Sequence, residues 1–472
     1  MKLLVAVIAV LCATATQAFA DGPAWVAEVS AIDPPKVDTI AVTIPLGSHV
    51  AVGVYDTTAG VYDTNAVEPQ PPSGVETTVR VMWFEHRTVF AGMPEERQAA
   101  IPYYLPEPKD CTPTGTWVVE VKPLALGTYR VPIQCSTNTV YVDVTCIELP
   151  PSDIGYGFYT GGYPDPMRVR EYHRDMAAHG MNTFTPYARG LPVEFGVDNQ
   201  DPAALLAWRI DTAIDEGLVD LRFPLLCLSI GPDKLRQAKE LAKHEWPELI
   251  GYGIDEPGLD KKDALAEDAR QWHEVAKVRT GTAILGPAAL AIGDPLDIWV
   301  IHLATMSDEV VMAAQARGKD RWLYNCELRG SNAPLHRYYT GVYTWAMAPA
   351  VCLTWTYCHD PASRIRPDGT WNLLRVHDAA TCDRDGYPIP TVALEGMSDG
   401  IIDSRLLQEL QRLNTPEGNA YLSDLRAKVD QKFSLLRRNH GWTAFNVWDV
   451  RDTAVPPIDM VAMRRDVVRL LP

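Results

Sequence analysis

From Ile154 onward the chain alternates short apolar runs with amphipathic stretches, and this alternation restricts the fold more than any other feature. Eight runs read as strands: "IGYGFYT", "MNTFTPYA", "RFPLLCLS", "LIGYGIDE", "TGTAILG", "DIWVIHL", "RWLYNCE" and "AVCLTWTYC". Between most of them lie segments with a helical period, such as "DPMRVREYHRDMAAHG" and "DKLRQAKELAKHEW". Eight strands alternating with helices over about 205 residues match the count and length of a (β/α)8 barrel. An open doubly wound sheet is the rival topology. Its fingerprint, G-x-G-x-x-G after a strand, is absent from the crossings.

The preceding region has a different texture. Residues 21–150 contain "TIAVTIPLG", "HVAVGVYD", "TTVRVMWFE", "TWVVEVKPL", "TYRVPIQC" and "TVYVDVTCIEL", rich in Val and Thr and alternating apolar with polar. Turn clusters such as "EPQPPSG" separate them, which predicts a β-sandwich. "ELPPSD" at 148–153 reads as a stiff boundary. The expected fold is therefore multidomain: an all-β sandwich at 21–150, then a TIM-type (β/α)8 barrel at 151–415. From Asp399 the chain turns helical ("IIDSRLLQELQRL", "NAYLSDLRAKVDQKFSLLRR"), and 416–472 are expected to be a helical extension packed on the barrel.

Residues 1–20 read as a cleaved secretory leader, with Lys2, the apolar run Leu3–Cys12 and "QAFA" before Asp21. A secreted or periplasmic protein without a membrane span is the expectation. A formal charge of −17 argues against a nucleic-acid partner, since a phosphate backbone needs a basic face. It leaves sugars, peptides and cationic polymers open. Export permits disulfides, but the cysteine spacing fits no compact disulfide scaffold and no C-x-x-C metal pattern. At most one bond is expected, among Cys111, Cys135 and Cys146. Cys352 and Cys358 lie on one expected strand, roughly 20 Å apart, and cannot reach each other. Cys227 reads as a small buried apolar residue. Neither a metal nor a cofactor is expected.

Barrels of this kind do chemistry at the C-terminal ends of their strands, which turns the strand list into a site list. Strand one ends in Tyr159, strand two in Tyr187 and Arg189, and strand four in Asp255 and Glu256. Strand six offers His302, strand seven Tyr324, Asn325 and Glu327, and strand eight Trp355, Tyr357, His359 and Asp360. The set is rich in acids and aromatics. Cleaving a glycosidic bond needs one carboxylic acid to protonate the leaving oxygen and one negative group to support an oxocarbenium-like carbon. Adjacent carboxylates repel, which raises the proton affinity of one of them. Pro257 is expected to hold Glu256 extended. Plainer roles suit the same residues: "DEP" as a strand end capping the next helix, Glu327 in an ion pair with Arg329, the histidines and aromatics as barrel packing. Ser, His and Asp are scattered along the chain, which argues against a serine hydrolase.

A β-sandwich followed by a barrel whose fourth strand ends in "Y-x-x-DEP" resembles glycoside hydrolase family 123 and secreted bacterial proteins related to it. A downstream segment, "ALEGMSDGIIDSRLL", is similar to the family's E-x-x-R-D/E-G-I-x-D through Glu395, Asp399, Gly400, Ile401 and Asp403. Ser398 and Ser404 depart from it, standing where the relatives carry Arg and Tyr. The resemblance implies removal of terminal β-linked N-acetylgalactosamine, with the substrate's 2-acetamido group as nucleophile. Asp255 would then stabilise that group, and Glu256 would be the general acid and base. Two other readings stay open: a retaining glycosidase with Glu256 as acid/base and Glu327 as nucleophile, or a carbohydrate-binding barrel without catalysis.

Overall fold

The computed structural model describes residues 24–32, 34–56, 67–88, 98–105, 113–160, 168–188, 201–325, 333–357, 379–382, 387–439 and 456–472. The expected leader, Cys111, Cys358, Arg189, Glu327, Arg329, His359 and Asp360 lie outside the described residues. The chain divides into two compact units, Met1–Leu149 and Pro150–Pro472.

The first unit is built from two sheets. Its strands are β1 (Trp25–Glu28), β2 (Thr39–Pro45), β3 (Val50–Tyr55), β4 (Glu68–Pro69), β5 (Val75–Thr88), β6 (Gln98–Leu105), β7 (Pro113–Pro123), β8 (Gly127–Gln134) and β9 (Thr139–Ile147). One sheet has the order β1-β3-β7-β5-β6 and the other β2-β9-β8-β4. β9 shows why a sandwich forms. Val140, Val142, Val144 and Cys146 are buried while the residues between them are partly exposed, the period of a strand with one face on a core. Sequence patterning found six of these strands. It missed β1 and β4, which are too short to show a period, and β6, whose "QAAIPYYL" does not alternate.

Cys135 and Cys146 are free thiols. Gln134 pairs with Thr139 at one end of the β8–β9 hairpin and Gly127 with Cys146 at the other, so the two cysteines sit at opposite ends. A disulfide allows a Cα separation of only about 4.4–6.8 Å.

The second unit contains eight parallel strands: β10 (Gly155–Tyr159), β11 (Thr183–Thr185), β12 (Leu225–Cys227), β13 (Leu249–Tyr252), β14 (Thr280–Ile284), β15 (Ile298–His302), β16 (Asp320–Asn325) and β17 (Val351–Thr354). They pair in the order β11-β10-β17-β16-β15-β14-β13-β12. A parallel bridge between Tyr187 and Leu228 joins the two ends, with Leu228 N–H donating to the Pro186 carbonyl at 2.9 Å. The sheet thus curls round into a barrel. Seven of the eight strands fall within the apolar runs recognised in the sequence, and β16 starts one residue before its run. Ile250, Ala283, Ile298, Val300, Trp322, Val351 and Leu353 form its interior, and Cys227 is buried in β12 as expected.

Helices follow the strands: α1 (Val169–Ala178), α2 (Pro202–Asp215), α3 (Pro232–Glu240), α4 (Lys262–Gln271), α5 (Gly286–Ile292), α6 (Asp308–Ala316), α7 (Ala333–Tyr338) and α8 (Thr344–Met347). A short hairpin, β18 (Ala380–Cys382) with β19 (Pro388–Pro390), precedes α9 (Val392–Leu413), and α10 (Pro416–Asn439) and α11 (Met460–Leu470) end the chain. α9 starts well before Asp399, with the Thr391 hydroxyl accepting from Leu394 N–H as its cap. Gly396 and Gly400 weaken the helical signal in the sequence. In three dimensions they let α9 lie against α7. A Cβ on Gly396 would stand 2.3 Å from the Ala333 carbonyl oxygen, and one on Gly400 2.6 Å from that of Arg337. None of the helices among the described residues is long and apolar enough to cross a membrane.

Candidate active site

β13 ends at Tyr252, so Asp255 and Glu256 stand on the bend that follows, at the C-terminal rim of the barrel. Three hydrogen bonds lash this bend to β14. Gly253 N–H donates to Gly281 O at 3.0 Å, Glu256 N–H to Ala283 O at 3.1 Å, and the Thr282 hydroxyl to Ile254 O at 2.8 Å.

Glu256 has φ +43°, in the left-handed region. This corrects the expectation that Pro257 would hold it extended. The left-handed turn breaks the pleat alternation that sends successive side chains to opposite faces. A non-glycine residue there costs of the order of 1–3 kcal/mol and needs its surroundings to hold it. The bond to Ala283 O supplies part of that hold. The Glu256 carboxyl is in turn close to His302, whose Nε2 lies 3.1 Å from Oε1.

Asp255 receives a hydrogen bond on Oδ1 from the Tyr252 hydroxyl. Although Asp255 reaches solvent, the surrounding protein pushes its carboxyl above the ordinary aspartate value. The Glu256 charge adds to that rise, while the Tyr252 bond and His302 oppose it. Both carboxyls therefore feel one another and the same imidazole.

His302 ends β15 and is buried. Its ring meets Tyr324 edge-on, with centroids 4.8 Å apart. Tyr324 packs against Tyr159 at 4.8 Å, and Tyr159 against Trp355 at 5.6 Å. Burial raises the Tyr159 hydroxyl well above its usual range, and Tyr252, Tyr324, Tyr187 and Asp255 add to that, which sets all five groups close together. Asn325 is buried beside them at the end of β16, in register with Thr354. From the residues singled out in the sequence, the fold thus gathers Asp255, Glu256, His302, Tyr159, Tyr187, Tyr324, Asn325 and Trp355 at one rim.

Tyr357 does not join them. It is fully buried, packs on Phe158 and Tyr172, and donates to Asp175 Oδ2 on α1 at 2.5 Å. Its direction is toward the helix layer, so the strand-eight expectation is corrected for this residue. One participant went unassigned in the sequence. Tyr252 stands three residues before Asp255, and its place as the last residue of the fourth strand was the available signal.

The downstream segment that carried the resemblance also lies elsewhere. Asp403 accepts from Arg337 Nε at 2.6 Å and from Arg464 Nε at 2.5 Å, and Arg464 also reaches Asp399 Oδ1 at 3.1 Å. All four are buried. Glu395 Oε1 is 3.6 Å from Nε2 of His179, and Ile401 packs over Gly180. Ser404 accepts from the Tyr156 hydroxyl at 2.7 Å. These residues bind α9 to its neighbours.

Two carboxyls and one imidazole, beside the partly exposed ring of Trp355, can hold a polar ring-shaped molecule and move a proton to it. No protein-family model and no curated protein matches the chain. A solved family 123 glycoside hydrolase from Clostridium perfringens, described in connection with glycolipid glycan hydrolysis, matches with a TM-score of 0.60 at 10% identity, covering 95% of this chain and 98% of that one. β-Glucuronidase 3 of Bacteroides uniformis matches with a TM-score of 0.32 at 10% identity, over 75% of this chain and 50% of that one. At such identity the likeness is one of fold: this chain, a β-sandwich followed by a (β/α)8 barrel, has the fold of the Clostridium perfringens family 123 glycoside hydrolase.

Proposed function

We propose that the protein is a secreted glycoside hydrolase acting on β-linked 2-acetamido sugars of the N-acetylgalactosamine type. The observation that carries this reading is the pair Asp255 and Glu256 on one bend at the rim, with the Glu256 carboxyl at His302 and the Asp255 carboxyl raised in proton affinity. Glu256 protonates the leaving glycosidic oxygen. The carbonyl oxygen of the substrate's acetamido group closes on the anomeric carbon as that bond breaks, giving an oxazoline. Asp255 accepts from the acetamido N–H and offsets the positive charge that develops there. A carboxylate with raised proton affinity is a stronger acceptor for that N–H. Glu256, now ionised, takes a proton from water, which opens the oxazoline with net retention. Trp355, partly exposed, offers an apolar face that a sugar ring can pack against, while Tyr159, Tyr187 and Tyr324 are buried in the barrel core and support the rim from within.

Two substrates and one inhibitor test the reading. Aryl 2-acetamido-2-deoxy-β-glycosides should be hydrolysed, and a thiazoline mimic of the oxazoline should inhibit. Turnover of plain β-glycosides, abolished in Glu327→Gln and indifferent to thiazoline, would replace this mechanism with a retaining one. Equal glycan binding by wild type and Glu256→Gln, with no cleavage by either, would make the protein a binding module.

A further inference from the structure

The geometry points to Tyr252 as a positioning residue: its hydroxyl holds Oδ1 of Asp255 so that Oδ2 is the oxygen presented to a ligand at the rim. The need for such a holder follows from the backbone. Asp255 lies beyond the end of β13, on a bend, and the bonds that secure this bend run through Gly253, Ile254 and Glu256. They restrain the main chain; the Asp255 carboxyl itself is held by the Tyr252 hydroxyl and by the Glu256 N–H. Tyr252 is the opposite kind of residue. Its backbone belongs to the β13 ladder, paired with Gly281, and its ring packs against the barrel interior. A phenol has two side-chain torsions, both restricted here by packing, so its hydroxyl is a fixed point from which to aim a carboxylate.

The bond also acts on charge. The groups around Asp255 are Tyr252 and Glu256 on its own segment, His302 on β15 and Tyr159 on β10. Burial and the Glu256 charge favour the protonated form, whereas the Tyr252 hydroxyl, His302 and the Glu256 backbone N–H favour the carboxylate. Removing the hydroxyl loosens the side chain and takes away one of the three groups that keep it ionised. If Tyr252 served packing alone, its hydroxyl would be dispensable. The part of this inference that concerns turnover rests on the proposed function above; the part that concerns the carboxyl does not.

Tyr252→Phe keeps the ring and deletes the hydroxyl. The side-chain carboxyl carbon of Asp255, assigned by comparison with Asp255→Asn, is followed by NMR through a pH titration of the full-length protein. Its midpoint should move to higher pH in Tyr252→Phe while the thermal transition stays at the wild-type temperature. On an aryl 2-acetamido-2-deoxy-β-glycoside, kcat/KM should fall about tenfold at neutral pH, the loss expected for one hydrogen bond to a charged group. The deficit should deepen as pH falls toward the raised midpoint. An unmoved titration overturns the inference whatever the activity. So does a moved titration with wild-type turnover at every pH. If the titration moves and neither protein hydrolyses the glycoside, Tyr252 keeps its assignment and the proposed function fails.

Discussion

The Nε2 of His302, at the end of the sixth barrel strand, lies 3.1 Å from Oε1 of Glu256, just beyond the end of the fourth. The two residues are 46 positions apart in the chain, by subtraction of their numbers, and meet beyond β14, the strand that lies between theirs. The contact ties the proposed proton donor to a buried ring, and Glu256 itself has a backbone conformation that glutamate seldom adopts.

Glu256→Gln should lower kcat on aryl 2-acetamido-2-deoxy-β-glycosides by about 10²–10⁴, the range for losing a general acid. Substrates with a more acidic leaving phenol should suffer least, because they leave with little protonation. Steady-state rates across a series of leaving groups check this, and a uniform loss would contradict it.

Asp255→Asn should stabilise the folded protein at neutral pH while impairing turnover. The folded protein raises the proton affinity of Asp255, so it binds more protons than the unfolded chain just above pH 3.8, the ordinary aspartate value. Stability therefore falls as pH rises through that window. The substitution removes the loss at pH 7 and changes little below pH 3.8. Thermal melts of both proteins at the two pH values test the sign.

His179 should make the barrel sensitive to alkali. Burial alone disfavours its charged form, but Asp175 and Glu395 outweigh it and raise the ring to about 10, from an ordinary 6.5. The stabilisation is complete below pH 6.5 and drains away as pH climbs through 10. In His179→Gln, urea midpoints between these pH values should be lower than wild type at the acid end and flatter overall. A parallel decline in both proteins would rule out this source.

Asp403→Asn should cost about 3–5 kcal/mol of stability, because it leaves two buried guanidinium groups short of their counter-charge. Chemical denaturation measures it. Glycoside hydrolysis per folded molecule should stay at the wild-type level, since Asp403 binds α9 rather than the rim.

Gly396→Ala should cost about 1–3 kcal/mol by forcing α9 away from the Ala333 carbonyl. Gly318→Ala offers a contrast: it has open space around it but a φ of +62°, so its cost comes from backbone conformation instead. Unfolding midpoints of the two variants, each compared with the corresponding Gly→Ser variant, separate the mechanisms. The loss should deepen with side-chain size at 396 and stay nearly constant at 318, where space is open.

By itself the sequence determined the layers and the rim. Apolar runs such as "DIWVIHL" and "TGTAILG" announce strands buried in a barrel, and the alternation in "TVYVDVTCI" announces a sheet with one face on a core. Each signal is local and is written in consecutive residues. Strand ends then follow from strand positions, which is why Asp255, Glu256, His302 and Tyr324 could be named together. Tertiary structure decided where the side chains point once the strands stop. The left-handed turn at Glu256, the Tyr252 bond to Asp255 and the turn of Tyr357 toward Asp175 have no period to reveal them. Contacts between distant segments decided the rest. "EGMSDGIID" looks like a functional motif in one dimension, yet its glycines meet α7 and its acids meet Arg337, Arg464 and His179, because a helix packed that closely needs small residues at the contact and partners for every buried charge.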